Sequence, residues 1–539
     1  MLRQHLQAAI ALAAILFGNP GAAPAQERPD QALVRTLASA PLQVSTAHAW
    51  NGRDWLDRFY APRGYAPAWN RQQAEAALAL LEQAPAEGLD PGDYQADELR
   101  RLLDDAQASQ ARRDVAFTAA MLHYLADLRL GRVRSEYHTA GTDPRLAHFD
   151  PVELLRGALG KASLADAVAA AEPQVPLYGR VKQALARYRE LAREPQPRLP
   201  SPRKTVAVGD VYAAVDELHD RLVLLGDLAG DEPGPQDGLY DATLAEGVRR
   251  FQGRHGLPET GELGAATVAA LNVPLAQRVR ELELTLERLR WIPDLPAGPM
   301  VAVNLPAYRL WAFDRANPAA QPLEMRVIVG QAVKTPTPLF IGQMRYLEFN
   351  PYWNVPRSIT LKEVIPKLER NHGYLATNDM ELVGQGGVTT TVSAETIAEL
   401  RSGKLRVRQR PGPRNSLGAI KFAMPNPQDI YLHSTPNREF FLKSRRDLSH
   451  GCIRVEQPAE LARFVLRNDP RWDIDQIQAA LQPGPTRRVD LPATVPVVLF
   501  YATALAGRDG KALFARDIYR RDPQLEQALK EHSDAAASK

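Results

Sequence analysis

VAVNLPAYRLWAF (301–313) decides how the C-terminal half of this 539-residue chain folds. Upstream of it apolar residues recur every three or four positions; from here on they alternate, and β-branched and aromatic residues dominate. MRVIVG (325–330), MRYLEFN (344–350), KLRVRQR (404–410), DIYLHS (429–434) and VPVVLFYATAL (495–505) repeat that pattern. The last is followed by ALFARDIY (512–519) across Asp509-Gly510, a strong hairpin turn signal. Residues 299–519 therefore read as a mainly β domain. TLKEVIPKLERN (360–371) and SAETIAELRSG (393–403) interrupt the period, so 361–401 reads as an insertion with helical sections, placed to cover a groove as a lid.

Working toward the N-terminus, Leu282, Leu286 and Leu289 make a helical stripe that stops at Trp291 and Pro293. Residues 210–274 form a compact stretch of three predicted helices. The first carries Val215, Leu218, Leu222 and Leu225, the second runs from an Asp241 cap to about His255 with a stop at Gly256, and the third starts near Gly264 or Ala265. EPQPRLPSPRK (194–204) is a Pro-rich linker, because proline removes backbone donors. Residues 50–193 are helical throughout, as in Phe117, Met121, Tyr124, Leu125 and Leu128, and His123 on that stripe reads as a core histidine. The fold class is multidomain α+β, with 520–539 as a C-terminal tail.

The balance of 66 basic to 63 acidic side chains leaves a formal charge of +3 without long single-sign blocks, so nucleic acid is not an expected partner. Residues 1–25 read as a secretory signal: Arg3, an apolar run over 8–17, then the small-x-small site Ala23-Pro24-Ala25. That run is too short to span a membrane, so no stable span is expected after cleavage, and the protein is expected in the periplasm or cell envelope.

Export gives weight to the single cysteine, Cys452, since an exported chain with one leftover thiol carries either an intermolecular link or a working group. In DIYLHST, Tyr431 and His433 share one face of a strand and Ile430 and Leu432 the other. Cys452 follows in SHGCIRV, directly after Gly451, where the missing side chain lets backbone N–H groups approach a substrate carbonyl. A free thiol near pH 7 is only a few per cent thiolate and needs a base beside it; His433 and His450 are available. Ser434, Ser449 and Arg454 add polar partners. Cysteine with two histidines is also a zinc ligand set, but no fourth ligand or short-spaced pair accompanies it, and no G-x-S-x-G elbow surrounds either serine. No metal or cofactor is expected in this protein. Arg406, Arg408 and Arg410 alternate on one strand and read as a solvated basic face or a contact for an anionic polymer.

HSTPNREFFLKSRRDLSHGCIRV (433–455) resembles the signature of the L,D-transpeptidase (YkuD-type) catalytic domain. NPYWNVPRSI (350–359) and PGPRNSLGAIKFAMPN (411–426) agree with it, and the whole is similar to the large, multidomain branch of that family. Asp237-Gly238, Phe251-Gln252, Gly256-Leu257, Gly261, Thr267 and Leu271-Asn272 resemble the three-helix peptidoglycan-binding module of wall enzymes.

The resemblance implies that Cys452 is a nucleophile forming a thioester, that His433 takes its proton, and that Ser434 orients the imidazole through its carbonyl. His450 would support the thiolate, Gly451 and Cys452 N–H groups with Tyr431 would stabilise the oxyanion, and Arg454, with Ser449, would position substrate. Distances decide between His433 and His450 as principal base. The implied partners are peptidoglycan stem peptides and glycan, with carbapenem-type inhibitors acylating Cys452. The implied reaction is a 3→3 cross-link with release of D-alanine. Water in place of an acceptor amine would make an L,D-carboxypeptidase of the same site, and a noncatalytic wall-binding scaffold is the rival from another class.

Overall fold

The structure, a computed structural model, describes residues 29–38, 52–137, 145, 148–160, 163–231, 234 and 238–537; the expected leader and Asp237 lie outside them. Among the described residues no helix is long and apolar enough to cross a membrane.

The N-terminal region is helical. Its centre is Gln110–Leu130, started by the Ser109 side chain accepting from the Arg112 N–H and stopped at Gly131 (φ 85°). Most of this helix is buried, including polar Asp114, Thr118, His123 and Asp127. Asp114 is held by the Tyr60 hydroxyl (2.6 Å) and the Ala68 and Trp69 N–H groups (2.7 and 2.9 Å), which is how a buried carboxylate is tolerated.

Val215–Leu225, Ala242–Arg254 and Ala265–Leu271 form the small three-helix domain. Gln252 acts as its internal strut: its amide donates to the Glu262 carbonyl (2.9 Å) and Thr267 Oγ1 (3.1 Å), and its oxygen accepts the Gly261 N–H (2.9 Å).

The next helix, Leu275–Arg290, has the predicted leucine stripe, yet its charged side is buried too. Arg290 reaches Glu287 (3.2 Å) and the Tyr178 hydroxyl (2.9 Å), while Glu287 accepts the Arg132 N–H (2.7 Å). Such groups are buried only as partners, and here they lock the helix to the N-terminal region.

The β domain contains β1 (Pro299–Asn304), β2 (Arg309–Asp314), β3 (Leu323–Gly330), β4 (Phe340–Phe349), β5 (Trp353–Asn354), β6 (Met380–Gly384), β7 (Gly387–Thr389), β8 (Arg406–Gln409), β9 (Ile420–Ala423), β10 (Leu432–His433), β11 (Asp447–Ser449), β12 (Ile453–Val455), β13 (Arg487–Phe500), β14 (Ala504–Ala506) and β15 (Ala512–Phe514). The main sheet has nine strands in the order β11-β3-β12-β10-β9-β4-β13-β1-β2, and a β2–β3 pairing brings it back on itself. Val301, Leu347, Phe422, Leu432, Ile453 and Leu499 fill its core, each fully buried and each contributing roughly 1.5–3 kcal/mol.

Four sequence expectations change here. KLRVRQR does not join the main sheet: β8 pairs with β5 and β6 in a separate four-stranded sheet, so the insertion spans Trp353 to Gln409, not 361–401, and has its own core around Ile365, Leu368, Leu382 and Val407. Arg408 on that strand is paired with Glu381 (2.7 Å) and lies over the Tyr352 ring, so its face is not simply solvated. The β14–β15 hairpin leaves the β domain and packs Ala504, Ala512 and Phe514 into the helical core, where His255 stacks between Phe251 and Phe514. The expected tail is the helix Arg521–Ala537, whose Leu525 and Leu529, spaced i,i+4, bury against Val133, Leu284 and Trp291.

Candidate active site

β10 lies between β9 and β12, and its two residues part company. Leu432 pairs with Phe422 and Ile453, all fully buried on the core side. His433 pairs with Lys421 and Arg454 on the other face. Continuing the parallel register by one residue sets Cys452 beside Tyr431, so Tyr431, His433, Cys452 and Arg454 share that face. A one-residue slip would carry all four into the core, and the burial of Leu432 and Ile453 forbids it.

His433 Nδ1 lies 2.6 Å from the Ser434 carbonyl. A carbonyl only accepts, so Nδ1 carries the hydrogen and the lone pair of the neutral ring sits on Nε2. Burial, reinforced by Arg454, lowers the imidazole pKa to about 3, so the ring is neutral at pH 7. Ser434 is itself fixed, its hydroxyl donating to the Leu417 carbonyl (3.0 Å) and accepting the Ile420 N–H (3.1 Å). Gly418 (φ 64°) makes room: a Cβ there would stand 2.2 Å from Ser434 Oγ.

The half-buried Cys452 thiol donates to the Asp429 carbonyl (3.5 Å). Burial pushes its pKa up, against the pull of Tyr431 and Lys421. No hydrogen bond joins Cys452 Sγ to either histidine among the described residues, and burial favours the uncharged form of each, so the resting pair is thiol and neutral imidazole. Asp429 is held at φ 53°, an uncommon conformation for a residue with a side chain. Asn426 braces it by donating to the Ile430 carbonyl (2.7 Å) and accepting the Ile430 and Gln428 N–H groups (3.1 Å each).

Gly451 (φ 116°) donates its N–H to Ser449 Oγ (3.1 Å), whose hydroxyl donates to the Cys452 carbonyl (2.6 Å). The expected oxyanion donor at Gly451 and the Ser449 hydroxyl are thus spent inside the turn. Thr337 donates to the Gly451 carbonyl (2.7 Å), and Gly330 is packed so tightly that a Cβ would lie 2.1 Å from the Thr335 carbonyl and 3.1 Å from Gly451 Cα. Asn426, Asp429, Thr337 and Gly330 escaped the sequence reading because their roles depend on strands meeting at this turn; the one local signal was the Pro/Asn-rich loop 425–427.

His450 is engaged by the insertion. Its Nε2 lies 2.6 Å from Oε1 of Glu363, which sits on a π-helical turn (Thr360–Val364) of the insertion, just before Pro366. Proline lacks the N–H that a regular helix needs, and such bulges recur at functional sites. Arg454 is half-buried, burial lowers its pKa, its Nε is buried without a hydrogen-bond partner, and it makes no ion pair among the described residues. A guanidinium held beside a thiol without an acid to pair it suits a carboxylate ligand. Tyr431 has its pKa raised by burial and by the charge of a Cys452 thiolate, and its ring lies 5.7 Å from that of His433.

A thiol, a neutral imidazole and a guanidinium thus share one face of a closed sheet. Residues 298–480 match the L,D-transpeptidase catalytic domain (YkuD), 212–271 a "Putative peptidoglycan binding domain", and 54–185 a scaffold domain, so the chain carries an L,D-transpeptidase catalytic domain together with a peptidoglycan-binding domain. It is 32% identical over 250 residues to a "Putative L,D-transpeptidase" of Haemophilus influenzae, covering 46% of this chain and 49% of that protein. It is also 46% identical over 79 residues to matrix metalloproteinase-21 of Homo sapiens, covering 14% of each chain. The chain thus spans about half the length of the first relative and less of the second. A solved L,D-transpeptidase from Stackebrandtia nassauensis aligns over 56% of this chain and 96% of its own, at 13% identity and a TM-score of 0.23.

Proposed function

We propose that the protein is an exported L,D-transpeptidase that forms 3→3 peptidoglycan cross-links through a thioester on Cys452. The observation that carries this reading is the His433 tautomer: with Nδ1–H committed to the Ser434 carbonyl, Nε2 is left as the base on the face that holds Cys452. This favours His433 over His450 as principal base, since His450 is engaged by Glu363.

In the first half-reaction the Cys452 proton moves to His433 Nε2 as sulfur attacks the carbonyl carbon of the third stem residue. The C–N bond to D-alanine breaks, and the departing amine takes the proton from His433. In the second, the amine of a neighbouring stem attacks the thioester carbonyl, the C–S bond breaks, and the proton lost by the amine returns to sulfur by way of His433. The neutral resting pair suits this sequence, because charge develops only once a donor covers the site. Arg454 holds a stem carboxylate, and the Cys452 N–H with Tyr431 faces the developing oxyanion. The insertion excludes water, which keeps the acyl group for an amine. Carbapenem-type inhibitors enter by the same attack and acylate Cys452.

The test is mass spectrometry of a disaccharide-tetrapeptide incubated with the mature chain and with Cys452→Ala. A cross-linked dimer lacking one D-alanine, formed only with the thiol, is expected. Tripeptide alone would make the protein an L,D-carboxypeptidase, and no product together with no carbapenem adduct would leave a wall-binding scaffold.

A further inference from the structure

His123 and Asp127 stand one helical turn apart on Gln110–Leu130, so their side chains project from one face. Against the same face the C-terminal helix Arg521–Ala537 brings His532. His123 Nε2 lies 3.2 Å and His532 Nε2 3.8 Å from the same oxygen, Asp127 Oδ2, and one ligand atom from each of the three falls within 4.8 Å of the others. All three residues are buried, at 8%, 2% and 6% exposure. This is the one group of three or more such ligand types that converges in this way among the described residues.

The two separations from Asp127 Oδ2, 3.2 and 3.8 Å, lie near those in the shell of a small cation. With bonds of about 2.0–2.2 Å in a tetrahedral shell, ligand atoms stand roughly 3.3 Å apart. The donor set, two imidazoles and one carboxylate, is the borderline-soft mixture that zinc and its first-row neighbours accept. The surroundings resemble a supporting shell: the Tyr94 hydroxyl donates to Asp127 Oδ2 (3.2 Å), and the tyrosine is buried edge-on to the His123 ring (5.2 Å). The nearby Arg132 cation is already answered by Asp93 and Glu287, so it does not oppose an incoming ion alone.

We propose that His123, Asp127 and His532 form a buried structural site for one zinc-class divalent cation, which clasps the C-terminal helix to the N-terminal helical region. That helix follows directly on the catalytic half of the chain, so the clasp fixes how the two halves are joined. The competing occupant is a proton, because Asp127 favours the charged form of His123 strongly enough to overcome the burial that opposes it.

The experiment uses the untagged mature chain in a Cys452→Ala background, so that the thiol contributes no metal ligand. Plasma mass spectrometry of protein purified without chelator is expected to find about one zinc-class ion per chain, falling at least tenfold in His532→Gln. After chelator treatment, added Zn2+ should raise the melting midpoint of the parent and leave that of His532→Gln unchanged. Should His532→Gln fail to fold, the Co2+-loaded parent decides alone: visible absorption of a tetrahedral nitrogen and oxygen site supports the clasp. A parent that retains no metal and responds to neither Zn2+ nor Co2+ holds only the proton, and the proposal falls. Equal metal content in a folded His532→Gln would overturn it as well.

Discussion

His450 Nε2 meets Glu363 Oε1 at 2.6 Å, joining the turn that carries the nucleophile to the π-helical turn of the insertion. Both side chains are about two-fifths exposed, so the pair contributes little to global stability, about 0.2–1 kcal/mol. Its effect should be local. Glu363→Gln is expected to leave the melting midpoint almost unmoved while raising hydrogen exchange over 357–377 and increasing the share of hydrolysed to cross-linked product. Unchanged exchange in that segment would show that the contact does not restrain the insertion.

His433 makes stability depend on acidity. The unfolded chain binds a proton at this residue below about pH 6.5, whereas the folded chain resists it until about 3. The unfolded state therefore holds more protons between those values, and stability present above pH 6.5 is lost as the pH falls toward 3. The contribution is on the order of a few kcal/mol. Urea denaturation at a series of pH values should give a shallower acid limb for His433→Gln, and its turnover should drop by roughly 10²–10⁴.

Cys452 should be a reluctant thiolate in the resting protein, since burial raises its pKa. Iodoacetamide alkylation, followed by intact mass, is expected to accelerate with a midpoint above the ordinary cysteine value of about 8.5. A midpoint near neutrality would mean that a preformed ion pair operates instead.

Arg454→Gln removes a guanidinium that has no ion-pair partner among the described residues. Loss of a charge-assisted bond costs roughly 1.5–3 kcal/mol, so kcat/KM for a tetrapeptide donor should fall about 10–100-fold, with little change in melting midpoint. A carboxamide donor should not distinguish the variant from the parent.

Gly330→Ala forces a methyl to 2.1 Å from the Thr335 carbonyl and 3.1 Å from Gly451 Cα. Both contacts are backbone, so the turn must move. A stability loss of at least about 1–3 kcal/mol is expected by denaturant melting.

The strands of the β domain were legible because alternation survives wherever one face packs, as Leu432 and His433 illustrate within two residues. The insertion was underestimated because β5 and β8 flank it with strands as regular as those of the main sheet; which sheet a strand joins is a matter of long-range pairing. The tail was missed as a helix because Leu525 and Leu529 are a short stripe whose partner surface, Val133, Leu284 and Trp291, lies elsewhere in the chain.

The order of residues by itself determined the reacting types and their local phase. Gly451 before Cys452, His433 one residue from Leu432, and the caps at Asp241 and Gly264 are matters of neighbours and period. Tertiary structure alone decided which distant groups meet: that the Leu417 carbonyl and the Ile420 N–H fix Ser434, that His450 turns to Glu363, and that His532 reaches Asp127. Periodicity is carried by adjacent side chains, whereas a hydrogen bond or a ligand set between distant segments exists only after the core has closed.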